Sequence, residues 1–152
     1  MEPTSRPLLL SLRPRFAEAI LTGSKTVELR RTRVAAPIGT ELVLYASSPV
    51  MSVVGVATLL GRESGTPDSI WRKHKQHAGV RRREYDEYFA GSGLATALSI
   101  GKAQALAIPY TLAWLRDEAA FQPPQSYRYL TSADPISLRR LAEMEPNQAV
   151  PA

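Results

Sequence analysis

Apolar residues first gather at Leu8-Leu-Leu-Ser-Leu12, a run of the length of a short buried strand. Pro14 follows where a helix first turn tolerates the missing N–H. Phe16, Ala17, Ala19, Ile20 and Leu21 then recur at helical spacing, and Gly23 is placed to end that helix. Thr26-Val-Glu-Leu-Arg30 alternates with period two, which predicts a strand. Val27 and Leu29 face one side of it, and Thr26, Glu28 and Arg30 face the other. Pro37 and Gly39 mark a turn before a further strand, Glu41–Ala46, which Ser47-Ser-Pro49 breaks. Ser52–Leu60 is apolar on both faces, as expected of a strand inside a barrel, and Gly55 marks a bulge within it.

The middle of the chain changes character. Asp68 is a candidate N-cap for a helix over Ser69–His77, ended by Gly79. Arg83–Phe89 predicts a second helix, ended by Gly91, with Tyr85, Tyr88 and Phe89 spaced to cover the barrel. Ala95–Ile108 reads as two strands around Gly101-Lys102, and Leu112–Ala120 as a helix or an extended arm. Paired prolines forbid a helix over Phe121–Leu130. Asp134-Pro135 opens a last short helix to about Glu143. The Pro-rich, polar ends, residues 1–7 and 145–152, are expected to fray. These elements predict an α+β fold: a small mixed β-barrel flanked by short helices, in one domain over residues 1–152 with its core at about 8–143.

Composition narrows the chemistry. At 152 residues, 44% hydrophobic and 22% charged, the chain supports one core and is not mostly disordered. With no cysteine, disulfides, thiolate metal sites and a cysteine nucleophile are excluded. His74 and His77, at i, i+3, lack a clear third ligand, so neither a metal nor another cofactor is expected. No apolar run approaches a membrane span, and Leu8–Leu10 is too short for a signal-peptide core; a cytoplasmic protein without membrane partners is expected. The net charge of +5 favours polyanions. Much of it lies between Trp71 and Arg83: Arg72, Lys73, Lys75, Arg81, Arg82 and Arg83, with both histidines and no acid.

Leu10-Ser-Leu-Arg-Pro14 and Ala19-Ile-Leu-Thr-Gly-Ser-Lys-Thr-Val-Glu-Leu-Arg30 resemble the opening signature of ASCH domains, part of the PUA-like superfamily. Leu44-Tyr-Ala-Ser-Ser-Pro49 and Val54-Gly-Val56 resemble the strand pair that follows. Tyr88-Phe89-Ala-Gly91 and Phe121-Gln-Pro-Pro-Gln-Ser-Tyr-Arg-Tyr129 resemble the longer ASCH subgroup with an inserted helical segment. The resemblance covers roughly residues 8–130. It implies a β-barrel with a cleft on one side and nucleic-acid ligands, RNA more than DNA. Some members of the family hydrolyse the acetyl amide of N4-acetylcytidine, some are described as ribonucleases, and others carry a regulatory or RNA-binding role.

On that resemblance, Lys25, Glu28 and Arg30 line the cleft, with Lys25 at its entrance. Arg30 could hold a phosphate or a base edge bidentately, and Glu28 could accept from a base amino group. The plainer alternative is a surface ion-pair cluster worth little energy. Tyr45 and Ser47 would line the pocket from the end of their strand, or Tyr45 would be a core tyrosine. Ser11 and Arg13 resemble pocket-lining positions, or simply cap the turn before Pro14. Tyr127 and Arg128 could stack on bases, or pin the last segment to the barrel. The 71–83 run could supply sequence-independent attraction to phosphates, or be a solvated face.

The amidohydrolase members resemble a Lys-x-x-Thr arrangement, whereas Glu28 stands three residues after Lys25 and Thr26 lies in the wrong phase. A carboxylate forms no equivalent acyl-ester and repels a developing oxyanion, so deacetylase chemistry is not expected to transfer. The primary reading is a nucleic-acid-binding domain, for RNA or a modified nucleotide. The alternatives are an enzyme of the same fold, a ribonuclease or a modified-cytidine amidohydrolase with Lys25 and Glu28 as its acid–base pair, and a regulatory protein-interaction module.

Overall fold

The computed structural model describes residues 6–141. Its elements are β1 (Leu8–Leu12), α1 (Pro14–Thr22), β2 (Val27–Arg30), β3 (Glu41–Ala46), β4 (Ser52–Gly65) and α2 (Pro67–His74). They continue with α3 (Arg82–Tyr88), β5 (Ala95–Thr111), α4 (Leu112–Glu118), β6 (Tyr127–Tyr129) and α5 (Ile136–Leu141). The strands form one sheet in the order β2-β5-β4-β3-β1-β6. β1 and β3 run parallel, and the other neighbouring pairs are antiparallel. The sheet curls around a core built from alternate residues: Leu8, Leu10 and Leu12 of β1, Leu42 and Leu44 of β3, Leu59 of β4, and Leu98 and Ile100 of β5. Ile20 of α1 packs into the same core. The expected mixed barrel is therefore a half-barrel, with β2 and β6 as edges that do not pair with each other.

The intervening residues face outward and are covered twice. Leu9, Val43, Tyr45 and Val53 pack beneath Leu112 and Leu115 of α4, Phe121, and Leu138 and Leu141 of α5. Val27 and Leu29 of β2 pack with Ala95 and Ala97 beneath Ile70 of α2 and Tyr85 and Phe89 of α3. No helix among the described residues is long and apolar enough to cross a membrane.

The early elements stand where the sequence pattern puts them, and Gly23 ends α1 in the left-handed region at φ 87°. Several later expectations are corrected. The α2 N-cap is Thr66, whose side chain accepts from the Ser69 N–H, so the helix starts before Asp68 and ends at His74. The expected strand pair around Gly101-Lys102 is one strand, β5, bulged where Lys102 takes φ 53°. The extra residue is absorbed within the ladder, so no turn is needed. β4 runs on to Gly65 rather than stopping at Leu60. Leu112–Glu118 is helical. Of the ends expected to fray, residues 1–7 and 145–152, only Arg6 and Pro7 are among the described residues, and there the Pro7 carbonyl accepts from the Leu130 N–H at 2.9 Å; the helix end near Glu143 also lies outside them.

The β3–β4 register does shift next to Gly55. A Cβ there would meet Leu21 Cδ2 at 2.5 Å and the Gln104 carbonyl oxygen at 2.6 Å. The leucine end could move, but the backbone oxygen belongs to the adjacent strand. Gly55→Ala is expected to lower stability by about 1–3 kcal/mol, the usual cost of overpacking, read as a lower urea midpoint at unchanged slope.

Candidate functional site

The alternation of β2 sends Val27 and Leu29 under α2 and α3, and turns Glu28 and Arg30 to the opposite face. There they meet Lys25, which precedes the strand. Lys25 Nζ lies 3.4 Å from Glu28 Oε1, donates to the Ala78 carbonyl and sits 4.6 Å over the Phe16 ring. Arg30 Nη2 donates to Glu28 Oε2 at 2.9 Å and to the Ser11 carbonyl at 2.9 Å. Its Nη1 donates to Ser126 Oγ at 2.9 Å. One carboxylate is thus held between two cations, and the three residues are only 1%, 6% and 8% exposed (Lys25, Glu28, Arg30). A surface ion-pair cluster is excluded by that burial.

Burial has an electrostatic consequence. Loss of water pushes the Lys25 amine below its ordinary value of 10.5, and Glu28 pulls it only part of the way back. The Arg30 guanidinium is committed differently from the expectation that it grips a phosphate. Both terminal nitrogens are spent on protein acceptors: Ser126 and Ser11, far away in sequence, and Glu28, two residues earlier.

The triad opens into a cleft of about 400 Å³. Ser11 and Arg13 line it beside β1, and Phe16 lines it from α1. Glu84, Tyr85, Glu87 and Tyr88 of α3 form the facing wall. Five of the residues singled out by sequence therefore share one cavity: Ser11, Arg13, Lys25, Glu28 and Arg30. The Ser11 hydroxyl is already used, donating to the Pro124 carbonyl at 2.7 Å. Arg13 is exposed and has no ion pair among the described residues, so its guanidinium is available to a ligand.

The α3 wall was not among the sequence candidates for the site. Tyr85 and Phe89 do cover the sheet, and the Tyr85 hydroxyl donates to the Pro67 carbonyl at 2.6 Å while burial pushes its phenol up to about 12. Tyr88 is instead 40% exposed and lines the cleft. Its offset of three from Tyr85 was a helical-face signal, but the face it marks borders the cavity.

Other candidates are placed elsewhere. Tyr45 lies opposite Ser11 in the β1–β3 register, and its ring packs 6.4 Å from Phe121 in the outer cluster. It is a core tyrosine, and burial raises its phenol. Ser47 sits in the turn after β3, with its N–H donating to Leu12, and does not line the cleft. Tyr127 packs half-buried against the inner core. Arg128 is clamped by Asp134, with Nη2 to Oδ1 at 2.8 Å and Nη1 to Oδ2 at 2.9 Å. It pins the C-terminal segment rather than waiting for a base.

The basic run is divided by its neighbours. Glu63 of β4 takes Lys73 and His74, Arg82 pairs with Asp86 and Asp68, and Arg83 lies near Glu87. Arg72, Lys75 and Arg81 have no ion pair among the described residues. No cluster of three or more histidine or acidic side chains among those residues is arranged to hold a metal.

No protein-family model matches the chain. It is 36% identical over 129 residues to an ASCH domain-containing ribonuclease of Zymomonas mobilis, covering 84% of this chain and 86% of that protein. The crystal structure of ASCH from Zymomonas mobilis superposes with a TM-score of 0.78, at 34% identity, over 84% of this chain and 89% of that one. The chain is also 30% identical over 132 residues to the large ribosomal subunit protein uL22 of Ureaplasma parvum, covering 85% of this chain but only 40% of that protein.

The buried triad makes an asymmetric stability prediction. Glu28→Gln strands two desolvated cations and should cost about 3–5 kcal/mol, whereas Lys25→Met removes one such charge, keeps the packed stem and should stay within about 1 kcal/mol. Urea unfolding of both variants checks the order. Between the lowered folded value of Lys25 and 10.5, the unfolded chain binds the extra proton, so stability rises with pH across that window. Lys25→Met should lose this rise, so the stability difference between the two shifts in the parent's favour toward alkaline pH.

Proposed function

The chain belongs to the ASCH domain family, and on that premise we propose that it cleaves single-stranded RNA in the cleft between β2, α1 and α3. The observation that carries the reading is the Lys25–Glu28 pair, 3.4 Å apart on the cleft wall, with the carboxylate oriented by Arg30. The ribonuclease description of the Zymomonas relative supports the substrate class.

In this reading an RNA 2′-hydroxyl attacks the adjacent phosphorus. Glu28 accepts the 2′ proton as the new P–O bond forms. The Lys25 ammonium gives a proton to the 5′-oxygen as the old P–O bond breaks. Desolvation lowers the Lys25 pKa and makes that ammonium a readier acid near neutrality. Arg30 is a positioning residue: it fixes Glu28 without touching substrate. Arg13 supplies a free cation for the phosphate, and the exposed Tyr88 ring supplies a stacking surface for a base. The carboxylate of Glu28, where the amidohydrolase pattern has a threonine hydroxyl, argues against acetyl transfer to the protein.

A second reading, a binding domain without cleavage, is favoured by one contact: the Lys25 amine already donates to the Ala78 carbonyl and would have to turn toward substrate. Labelled single-stranded RNA, single-stranded DNA and duplex DNA, followed by anisotropy and product size, separate the two. The expected result is binding of both single strands and cutting of RNA alone, since DNA lacks the 2′-hydroxyl. Lys25→Met should reduce cleavage by at least about 100-fold, the lower end for a general acid, while affinity changes little. Binding of intact RNA by the parent protein, with no product, would instead make the cleft a recognition site.

A further inference from the structure

A second depression, of about 340 Å³, adjoins the cleft and shares Val80 and Glu84 with it. Three cations line it: Arg15 of α1, Lys75 at the end of α2, and Arg81 just before α3. The one carboxylate there, Glu84, is paired with Arg15. Lys75 and Arg81 have no ion pair among the described residues, unlike Lys73, Arg82 and Arg83 of the same basic run. The fold thus pairs three cations of that run and leaves Arg72, Lys75 and Arg81 uncompensated, of which Lys75 and Arg81 line this depression.

The partition between the two cavities is thin. Gly79 lines the second depression, and Lys25 lines the first. A Cβ on Gly79 would lie 3.2 Å from Lys25 Cβ, and the glycine holds φ at 67°, so the loop can rest directly on the lysine stem. An anion held by Lys75 and Arg81 would therefore lie one backbone layer from the Lys25 side chain.

We propose that this depression is a phosphate subsite, which takes the phosphodiester next to the one in the cleft on the same RNA strand. The inference rests on the RNA-cleavage reading and adds a second binding point to it. Charge and reach are enough for such a contact, because a phosphate needs a cation rather than a base-specific partner. Its use lies in positioning: a strand anchored at two successive phosphates cannot slide along the cleft.

The test compares a dinucleoside monophosphate, which has only the scissile phosphate, with a tri- and a hexanucleotide. The proteins are the parent, Lys75→Ala/Arg81→Ala, and a control with equal charge loss outside the depression, Lys73→Ala/Arg83→Ala. The expected result for Lys75→Ala/Arg81→Ala is a KM raised roughly tenfold on the two longer substrates, with kcat within about twofold and the dinucleotide unaffected. Loss of the one single-strand phosphate contact held there should also flatten the log–log salt dependence of binding by about 0.7. Equal effects in the control, an equal loss on the dinucleotide, or an unchanged KM and salt slope would each overturn the subsite while leaving cleavage by the parent intact. A parent protein that cuts none of the three substrates removes the reading of the cleft itself, and the subsite with it.

Discussion

The Arg30 guanidinium stands where the two edges of the sheet fail to meet. β2 ends at Arg30, and Ser126 immediately precedes β6, the opposite edge. No backbone ladder joins these strands, so the curled sheet would carry an open polar seam. Arg30 spans it, with one nitrogen on the Ser126 hydroxyl and the other on the Ser11 carbonyl. A charge drawn this far from water needs a counter-charge, and Glu28, two residues earlier on the same strand face, supplies it. The contact that ties the fold together is therefore also the contact that orients the carboxylate in the cleft.

Lys25 makes this arrangement energetically uneven. Burial strips water from its amine and lowers its pKa; Glu28 pulls it part of the way back, and the Arg30 charge adds a smaller push down. An apolar trio would serve the core as well. The polar one leaves an amine of lowered pKa and an oriented carboxylate facing a cavity, and a desolvated titratable group in a cleft is a mark of functional sites.

The legible parts of the fold were those where one local signal has one meaning. The apolar run of β1, the proline start and glycine end of α1, and the two-residue period of β2 each sit in the structure as read. The same period correctly set Glu28 and Arg30 apart from Val27 and Leu29. Arg30's actual partners were not legible, because Ser11 and Ser126 are separated from it by 19 and 96 positions. Tyr45 stayed open between pocket and core because β3 is apolar on both faces, so periodicity could not say which face meets the cleft. At the start of α2, Thr66 and Asp68 are both good caps; Pro67, suited to a first helical position, was the residue that separated them. The basic run looked uniform because its neutralising partners, Glu63 of β4 with Asp68, Asp86 and Glu87, all lie outside it.

The parallel pairing of β1 with β3 carries a consequence for how the molecule comes into being. After β1 the chain leaves its neighbourhood through α1 and sets down β2 at the far edge of the sheet, where its partner is β5. During synthesis from the N-terminus, Val27 and Leu29 have nothing to pair with until Ala97 and Ser99 have been made. Arg30 must wait longer, for Ser126. Such distant pairings are slow to close, since the loop entropy is lost before any contact is gained. Shorter nascent chains can hold Lys25 and Glu28 in sequence, but they have no seam for Arg30 to span and so no oriented carboxylate. The timing of chain growth thus keeps the cleft from being assembled until nearly the whole fold exists to enclose it.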